Sequence, residues 1–94
     1  MSYRIILSPD ARADLRSAVR WYKQKEIDLS LRFRAQLQAT LRDIVRLPHA
    51  FTLMDDGWRR ALMRRFPYYV YFTFDGNTVV VNGIVHQRRG KHMF

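Results

Sequence analysis

Two runs of residues with a strong strand preference dominate the C-terminal part of the chain, at 68–74 and 78–86, and Asp75-Gly76-Asn77 separates them. Asp-Gly between such runs predicts a β-hairpin, because a tight primed turn needs residues that accept a positive φ. The segment from Leu62 to Phe66 predicts a strand before the hairpin, and it ends at Pro67, which cannot donate to a strand ladder. The pattern therefore predicts a three-stranded antiparallel meander.

A short β-type run from Tyr3 to Leu7 precedes Ser8-Pro9-Asp10, which predicts the start of a helix. Ser8 suits the N-cap, Pro9 suits the first helical position, and the Asp10 charge faces the positive end of the helix dipole. The inward face of this helix is predicted from apolar residues at helical spacing, namely Ala11, Leu15, Ala18, Val19 and Tyr22. Its outward face carries Arg12, Arg16 and Arg20.

A second helix is predicted from Asp28, which can cap it, to Leu47-Pro48, because the residue before a proline is disfavoured in helical geometry. Its apolar positions are Phe33, Leu37, Leu41 and Ile44, and its outward row is Arg34, Gln38, Arg42 and Arg46. Two amphipathic helices joined by a short loop form an antiparallel hairpin. The predicted fold class is α+β in the order β-α-α-β-β-β, with the helical hairpin packed on a small, mainly antiparallel sheet.

Within the hairpin, both faces of the first strand are apolar or aromatic, so we expect helices to cover one face and a partner to contact the other. Asn82-Gly83 resembles a turn signal, but a turn there would leave too few residues for another strand. We therefore predict a bulge or a close backbone approach at Gly83.

The length of 94 residues predicts one domain, 1–94, with one small core. The chain contains no cysteine, which excludes disulfides, thiolate metal sites and a cysteine nucleophile. The apolar run near the N-terminus is too short for a signal peptide or a membrane span. We therefore expect a cytoplasmic protein with no membrane partner.

The net charge of +9 is concentrated near the predicted meander, since residues 59–94 hold seven Lys or Arg and a single acid, Asp75. Most of the basic residues are arginine, whose planar fork binds phosphate or carboxylate through two bonds. The excess charge predicts a polyanionic partner, either nucleic acid or an acidic protein. The alternative is that the charge only maintains solubility.

Candidate chemistry is sparse, and the pattern predicts neither a metal site nor a cofactor. Asp55-Asp56 could share a proton or bind a metal, but adjacent acids in a loop ending in Gly57 favour a turn. The histidines have no metal-ligand spacing; they are His49, His86 and His92. RNA cleavage needs only a general base, a general acid and cations, which His86, Arg65 and Arg88 could supply. The alternative is that these residues bind a partner electrostatically.

The order of several motifs resembles the ParE/RelE superfamily of toxins from bacterial toxin–antitoxin modules. The motifs are Ser8-Pro9-Asp10-Ala11, Asp14-Leu15, Trp21-Tyr22, Leu47-Pro48, Arg59-Arg60, Arg65-Phe66-Pro67-Tyr68, Val70-Tyr71 and Ile84-Val85-His86-Gln87-Arg88-Arg89. The Arg-Phe-Pro-Tyr motif and the final His-x-Arg-Arg are most similar to the ParE branch.

The resemblance implies a growth-inhibiting toxin that a cognate antitoxin neutralises. ParE-like toxins are associated with poisoning of DNA gyrase, whereas RelE-like toxins cut messenger RNA on the ribosome. A chain that had lost toxicity and only bound its partner is a third possibility. The sequence has Thr52, Leu53 and Met54 where the RelE branch is rich in lysine, and it ends in Phe94 where that branch tends to use tyrosine. These differences favour a non-enzymatic, ParE-like toxin.

The predicted target-binding residues follow from the charge distribution and from the motifs, and they are Arg59, Arg60, Arg64, Arg65, His86, Arg88 and Arg89. If the chain is a ribonuclease, the predicted catalytic residues are Arg65, His86 and Arg88. The positive charge and the apolar outer sheet face predict an acidic antitoxin with a segment that folds on binding.

Overall fold

The structure is a computed structural model, and it describes residues 3–88. Its elements in chain order are β1 (Arg4–Leu7), α1 (Pro9–Lys25), α2 (Ile27–Arg46), a 3₁₀ turn (Pro48–Ala50), β2 (Thr52–Leu53), β3 (Arg59–Leu62), β4 (Tyr68–Asp75) and β5 (Thr78–His86).

The five strands form one sheet in the order β1-β5-β4-β3-β2. The pairs β2–β3, β3–β4 and β4–β5 are antiparallel, whereas β1 pairs with β5 in parallel. Two helices packed on this sheet confirm the predicted α+β class and the order of the predicted elements. The short edge strand β2 was not predicted, because two residues carry no usable periodicity.

Helix α1 begins as predicted, since Ser8 has an extended backbone and its Oγ accepts a hydrogen bond from the Ala11 amide at 3.1 Å. The prediction that Asp28 caps α2 is wrong. Glu26 instead separates the two helices, with φ −167° and ψ 130°, and its amide donates to the Tyr22 carbonyl at 2.8 Å. One extended residue therefore ends α1 and precedes α2, and Asp28 lies in the first turn of α2, where its charge faces the helix N-terminus.

The predicted hairpin is confirmed. Asp75 pairs with Thr78, and Gly76 has φ 58° while Asn77 has no positive φ, which is the pattern of a type II′ turn with glycine first. Strand β5 continues through Gly83, which pairs with Tyr71. The register shifts at the next pair, so Asn82 is the additional residue of a bulge, next to the predicted position.

A strand precedes the hairpin as predicted, but its predicted bounds, Leu62 to Phe66, are wrong. Strand β3 ends at Leu62, and residues 63–67 form the connection to β4. The Met63 amide donates to the Tyr68 carbonyl at 2.8 Å and closes this connection. Arg65 has φ 63°, a left-handed conformation that no regular strand contains. The apolar residues Met63 and Phe66 are inward-facing parts of a turn, and this explains why the segment resembled a strand.

The helices pack on one face of the sheet, and the core lies between the helices and the sheet. Side chains that are buried there include Phe33, Ile44, Val70, Phe72, Val79 and Val81. The predicted outward arginine rows of both helices are exposed. None of the helices within residues 3–88 is long and apolar enough to cross a membrane.

Candidate target-binding surface

Backbone pairing brings the β3–β4 connection next to the C-terminal end of β5. Tyr68 pairs with His86, and the Gln87 amide donates to the Pro67 carbonyl at 2.8 Å. Residues on these two segments therefore lie at one end of the sheet. We call Arg64, Arg65, His86 and Arg88 the basic end.

Arg64 attaches the β3–β4 connection to α2. Its Nε and Nη2 atoms donate to the same Asp43 carboxylate oxygen at 3.1 and 2.7 Å. Its backbone amide donates to the Thr40 Oγ1 at 3.2 Å. The Arg64 side chain is 55% exposed, so water weakens the ion pair, but three hydrogen bonds to one helix fix the position of the turn.

Arg65 follows directly and is exposed. It lines a cavity of about 480 Å³ together with Phe66 and three residues of α2, which are Leu29, Arg32 and Gln36. Among the residues that the structure describes, none that lines this cavity carries a carboxylate. Arg32 and Gln36 were not predicted as site residues, because only the folded turn reveals which face of α2 lies opposite Arg65.

His86 is half-buried, and its ring packs edge-to-face on Tyr68 with the centroids 5.1 Å apart. Its Nδ1 atom accepts a hydrogen bond from the Arg88 amide at 3.1 Å. This assigns the neutral tautomer that carries its proton on Nε2, so any proton transfer by this ring would pass through Nε2. The same bond holds Arg88 beside the imidazole.

Arg59 and Arg60 do not lie at the basic end. The Arg59 Nη1 donates to the Phe51 carbonyl at 2.9 Å, and its guanidinium carbon lies 5.5 Å from the Phe74 ring centroid. Arg60 is on the open face of the sheet, where its guanidinium carbon lies 4.2 Å from the Tyr69 ring centroid. The predicted target-binding residues are therefore distributed over separate surfaces. Arg89 lies outside the described residues.

The open face of the sheet carries a row of aromatic side chains. Tyr69 and Tyr71 have ring centroids 6.1 Å apart, and Trp58 lies 6.5 Å from Tyr71. All three are half-buried, and Tyr69 and Tyr71 alternate with the core residues of β4, so they lie on the face opposite the described helices. This surface is the one on which the sequence analysis expected a partner.

The other residues considered for catalysis or metal binding form contacts within the fold. The Asp56 carboxylate accepts a hydrogen bond from the Trp58 amide at 2.9 Å, a contact typical of a turn and consistent with the predicted turn at Asp55-Asp56. The His49 ring packs on Phe74 with the centroids 4.6 Å apart. His92 lies outside the described residues. Within residues 3–88 no three His, Asp or Glu side chains are grouped so as to hold a metal ion.

Comparison with known proteins adds the family relationship. The chain matches, over residues 5–90, the family described as the ParE toxin of the type II toxin–antitoxin system parDE. A structure described as the chromosomal ParDE toxin–antitoxin system from P. aeruginosa is similar in fold, with a TM-score of 0.79 and 15% sequence identity over 90% of this chain and 96% of that chain. None of the curated proteins matches significantly.

Proposed function

The chain belongs to the ParE toxin family of type II toxin–antitoxin systems, and we propose that it inhibits growth by acting on DNA gyrase in the cytoplasm until a cognate antitoxin neutralises it. The observation that carries this proposal is the family match, because residues 5–90 cover all the helices and strands of residues 3–88 except Arg4, the first residue of β1. Gyrase is the target associated with the ParE branch that the sequence resembles. The proposed mechanism is binding rather than catalysis.

We assign target binding mainly to the basic end of the sheet. Arg65 and Arg88 are exposed there, and neither forms an ion pair with another residue of the described part of the chain. Their guanidinium groups can therefore bind phosphate or carboxylate without first breaking an internal bond. Gyrase bound to DNA offers both groups. Arg89 is included in the proposed surface on the basis of its sequence position.

The proposed antitoxin is acidic and covers the open aromatic face. Tyr69, Tyr71 and Arg60 form an aromatic and cationic surface there, and the chain has a net charge of +9. A flexible acidic segment could bury the rings and pair with the arginine as it folds. If the purified chain stays monomeric and does not bind an acidic product of the neighbouring gene, this part of the proposal is wrong.

The experiment that tests the proposal is a DNA gyrase supercoiling assay with the purified chain, with and without its antitoxin. We expect inhibition that the antitoxin relieves. Arg65→Ala and Arg88→Ala should weaken inhibition by roughly tenfold each, since each removes charge-assisted hydrogen bonds. Arg42→Ala is the matched control, because Arg42 is exposed on the outward row of α2. Absence of inhibition at concentrations that stop growth would contradict gyrase as the target.

The alternative is a ribosome-dependent messenger-RNA endoribonuclease, and one observation favours it. The bond between the Gln87 amide and the Pro67 carbonyl brings His86 and Arg88 to the end of the sheet that carries Arg65. These three residues are the proposed catalytic set under this alternative, with no metal required. His86→Ala should abolish RNA cleavage, whereas a binding toxin would only be weakened. Toxicity that survives this change would exclude the ribonuclease.

A chain that binds the antitoxin but never inhibits growth would instead be a non-toxic binding module.

A further inference from the structure

The cavity beside Arg65 has a composition that suits an anion. On its helical side, Leu29, Arg32 and Gln36 follow one another at spacings of three and four residues, so they lie on one face of α2. On the other side are Arg65 and Phe66 from the β3–β4 connection. Two arginines from separate elements thus share one cavity with the amide of Gln36.

The two arginines of this cavity have no counterion among the described residues. None of the described residues that line the cavity carries a carboxylate, and within residues 3–88 neither Arg32 nor Arg65 forms an ion pair. Like charges that face the same space repel one another, and a bound anion removes this repulsion. The neighbouring Arg64 differs, because Asp43 neutralises it.

The β3–β4 connection, which forms one side of the cavity, is held against the helices before any ligand binds. Thr40 and Asp43 hold Arg64, and therefore the adjacent Arg65, against α2. The Phe66 ring packs edge-to-face on Tyr22 and on Phe33, with centroid distances of 5.2 Å in both cases. The backbone that carries Arg65 is therefore positioned before a ligand binds, which lowers the entropic cost of binding.

The backbone of Arg65 provides an independent observation. Its φ of 63° is the only positive value for a non-glycine residue within residues 3–88. A side chain in this region is strained, and such strain persists where the surrounding structure imposes it, often beside ligand sites. Here it directs an arginine towards the cavity that Arg32 also lines.

We propose that Arg32, Gln36 and Arg65 bind a phosphate group in the cavity between α2 and the β3–β4 connection. A phosphate dianion matches two guanidinium forks and one amide better than a carboxylate does, because it offers more oxygen atoms and more charge. The cavity is partly open to solvent, and its volume of about 480 Å³ leaves room for more than phosphate alone. The phosphate therefore belongs to a larger molecule, either a nucleotide or a nucleic-acid strand, whose remaining part contacts Phe66 and Leu29.

This site goes beyond the proposed function, since it adds Arg32 and Gln36 of α2, which are not part of the basic end, to Arg65, which is. Phosphate binding and gyrase inhibition are separate measurements. An Arg32→Ala chain that no longer binds phosphate but still inhibits gyrase leaves the proposed function intact. A chain that binds phosphate without inhibiting gyrase supports the cavity alone.

The test is calorimetric titration of the purified chain with pyrophosphate, with ATP and with a 5′-phosphorylated single-stranded oligothymidine, at constant ionic strength. We expect saturable binding with one site per chain. Arg32→Ala and Arg65→Ala should each raise the dissociation constant at least tenfold, and Gln36→Ala should raise it less. Arg65→Lys should retain part of the affinity, because it keeps the charge but loses the fork.

Arg34→Ala is the matched control, because Arg34 is exposed on α2 and lies outside this cavity. It removes the same charge and should change the dissociation constant less than twofold. Equal weakening by Arg34→Ala and Arg32→Ala would mean that only net charge attracts the ligands, and would overturn the proposal. Failure of the unmodified chain to bind any of the three probes would also overturn it. Tighter binding of ATP would identify a nucleotide, and tighter binding of the oligonucleotide would identify a strand.

Discussion

The carboxylate of Asp14, on α1, accepts a hydrogen bond from the backbone amide of Ile84 at 2.9 Å, although 70 residues separate them in the sequence. Ile84 follows the β-bulge at Asn82, where the regular ladder of β5 is interrupted. A helix side chain thus satisfies a backbone donor of the sheet and fixes α1 against β5.

We expect Asp14→Ala to lower the free energy of unfolding by about 1.5–3 kcal/mol, because the Ile84 amide would lose a charged acceptor in a partly buried site. Urea unfolding followed by circular dichroism measures the change. Asp28→Ala is the control, since Asp28 is exposed in the first turn of α2 and contributes about 1 kcal/mol at most. Equal losses in the two variants would show that the contact to Ile84 has no special role.

The Ser8 cap should contribute measurably to α1. Ser8→Ala removes the Oγ that accepts a hydrogen bond from the Ala11 amide, and we expect a loss of about 0.5–2 kcal/mol in the free energy of unfolding. Ser17→Ala provides the comparison, because Ser17 is exposed within the same helix and alanine has the higher helix propensity. Destabilisation by Ser17→Ala and not by Ser8→Ala would contradict the assignment of the cap.

The conformation of Arg65 predicts an unusual ranking of two substitutions. Glycine adopts a φ of 63° without strain, whereas alanine retains the strain of a Cβ atom. Arg65→Gly should therefore be more stable than Arg65→Ala by about 1 kcal/mol, although both lose the guanidinium. Thermal unfolding of the two variants decides this. A more stable alanine variant would mean that the turn relaxes to negative φ in solution.

The aromatic cluster beneath the β3–β4 connection should be sensitive to truncation. Phe33 is fully buried, and its ring contacts Tyr22, Phe66 and Tyr68 at centroid distances of 5.1 to 5.3 Å. Phe33→Ala should cost about 3–5 kcal/mol, a large share of the stability of a small domain. Phe33→Leu keeps most of the volume and should cost less, which denaturant titration can establish. Similar losses of unfolding free energy in the two variants would show that neighbouring side chains move to fill the space left by the Phe33 ring.

The ion pair between Arg64 and Asp43 should contribute little by itself. Their side chains are 55% and 33% exposed, so a double-mutant cycle should give a coupling of about 0.2–1 kcal/mol that decreases at high salt. The cycle compares Arg64→Ala, Asp43→Ala and the double variant by urea unfolding. A coupling well above 1 kcal/mol that persists at high salt would mean that the pair is effectively shielded from water.

Local signals in the sequence were enough to predict most of the fold. Ser8-Pro9-Asp10 specified the start of α1, Leu47-Pro48 specified the end of α2, and Gly76 specified the hairpin. Each of these depends on the conformational preferences of two or three adjacent residues. The second helix began earlier than predicted, because Glu26 adopts an extended conformation that side-chain capping rules do not anticipate.

The candidate site was only partly predictable, because it depends on contacts between distant segments. The charge pattern identified Arg65 and His86, and strand pairing brings their segments to one end of the sheet. The left-handed turn at Arg65 and the position of Arg32 opposite it follow from how the connection packs on α2. The periodicity of residues within one helix or strand does not predict how two separate elements pack on each other.

The parallel pairing of β1 with β5 also constrains when the molecule can fold during its synthesis. Helices α1 and α2 can form from local contacts, but the partner of β1 is β5, which is made after all the other described strands. Until β5 has been made, β1 has no partner strand and the inner faces of the helices are not fully covered by the sheet. His86 and Arg88 are then not yet beside the connection that carries Arg65. The nascent chain therefore exposes apolar surface to chaperones and proteases, and the basic end is formed only after β5 has been translated.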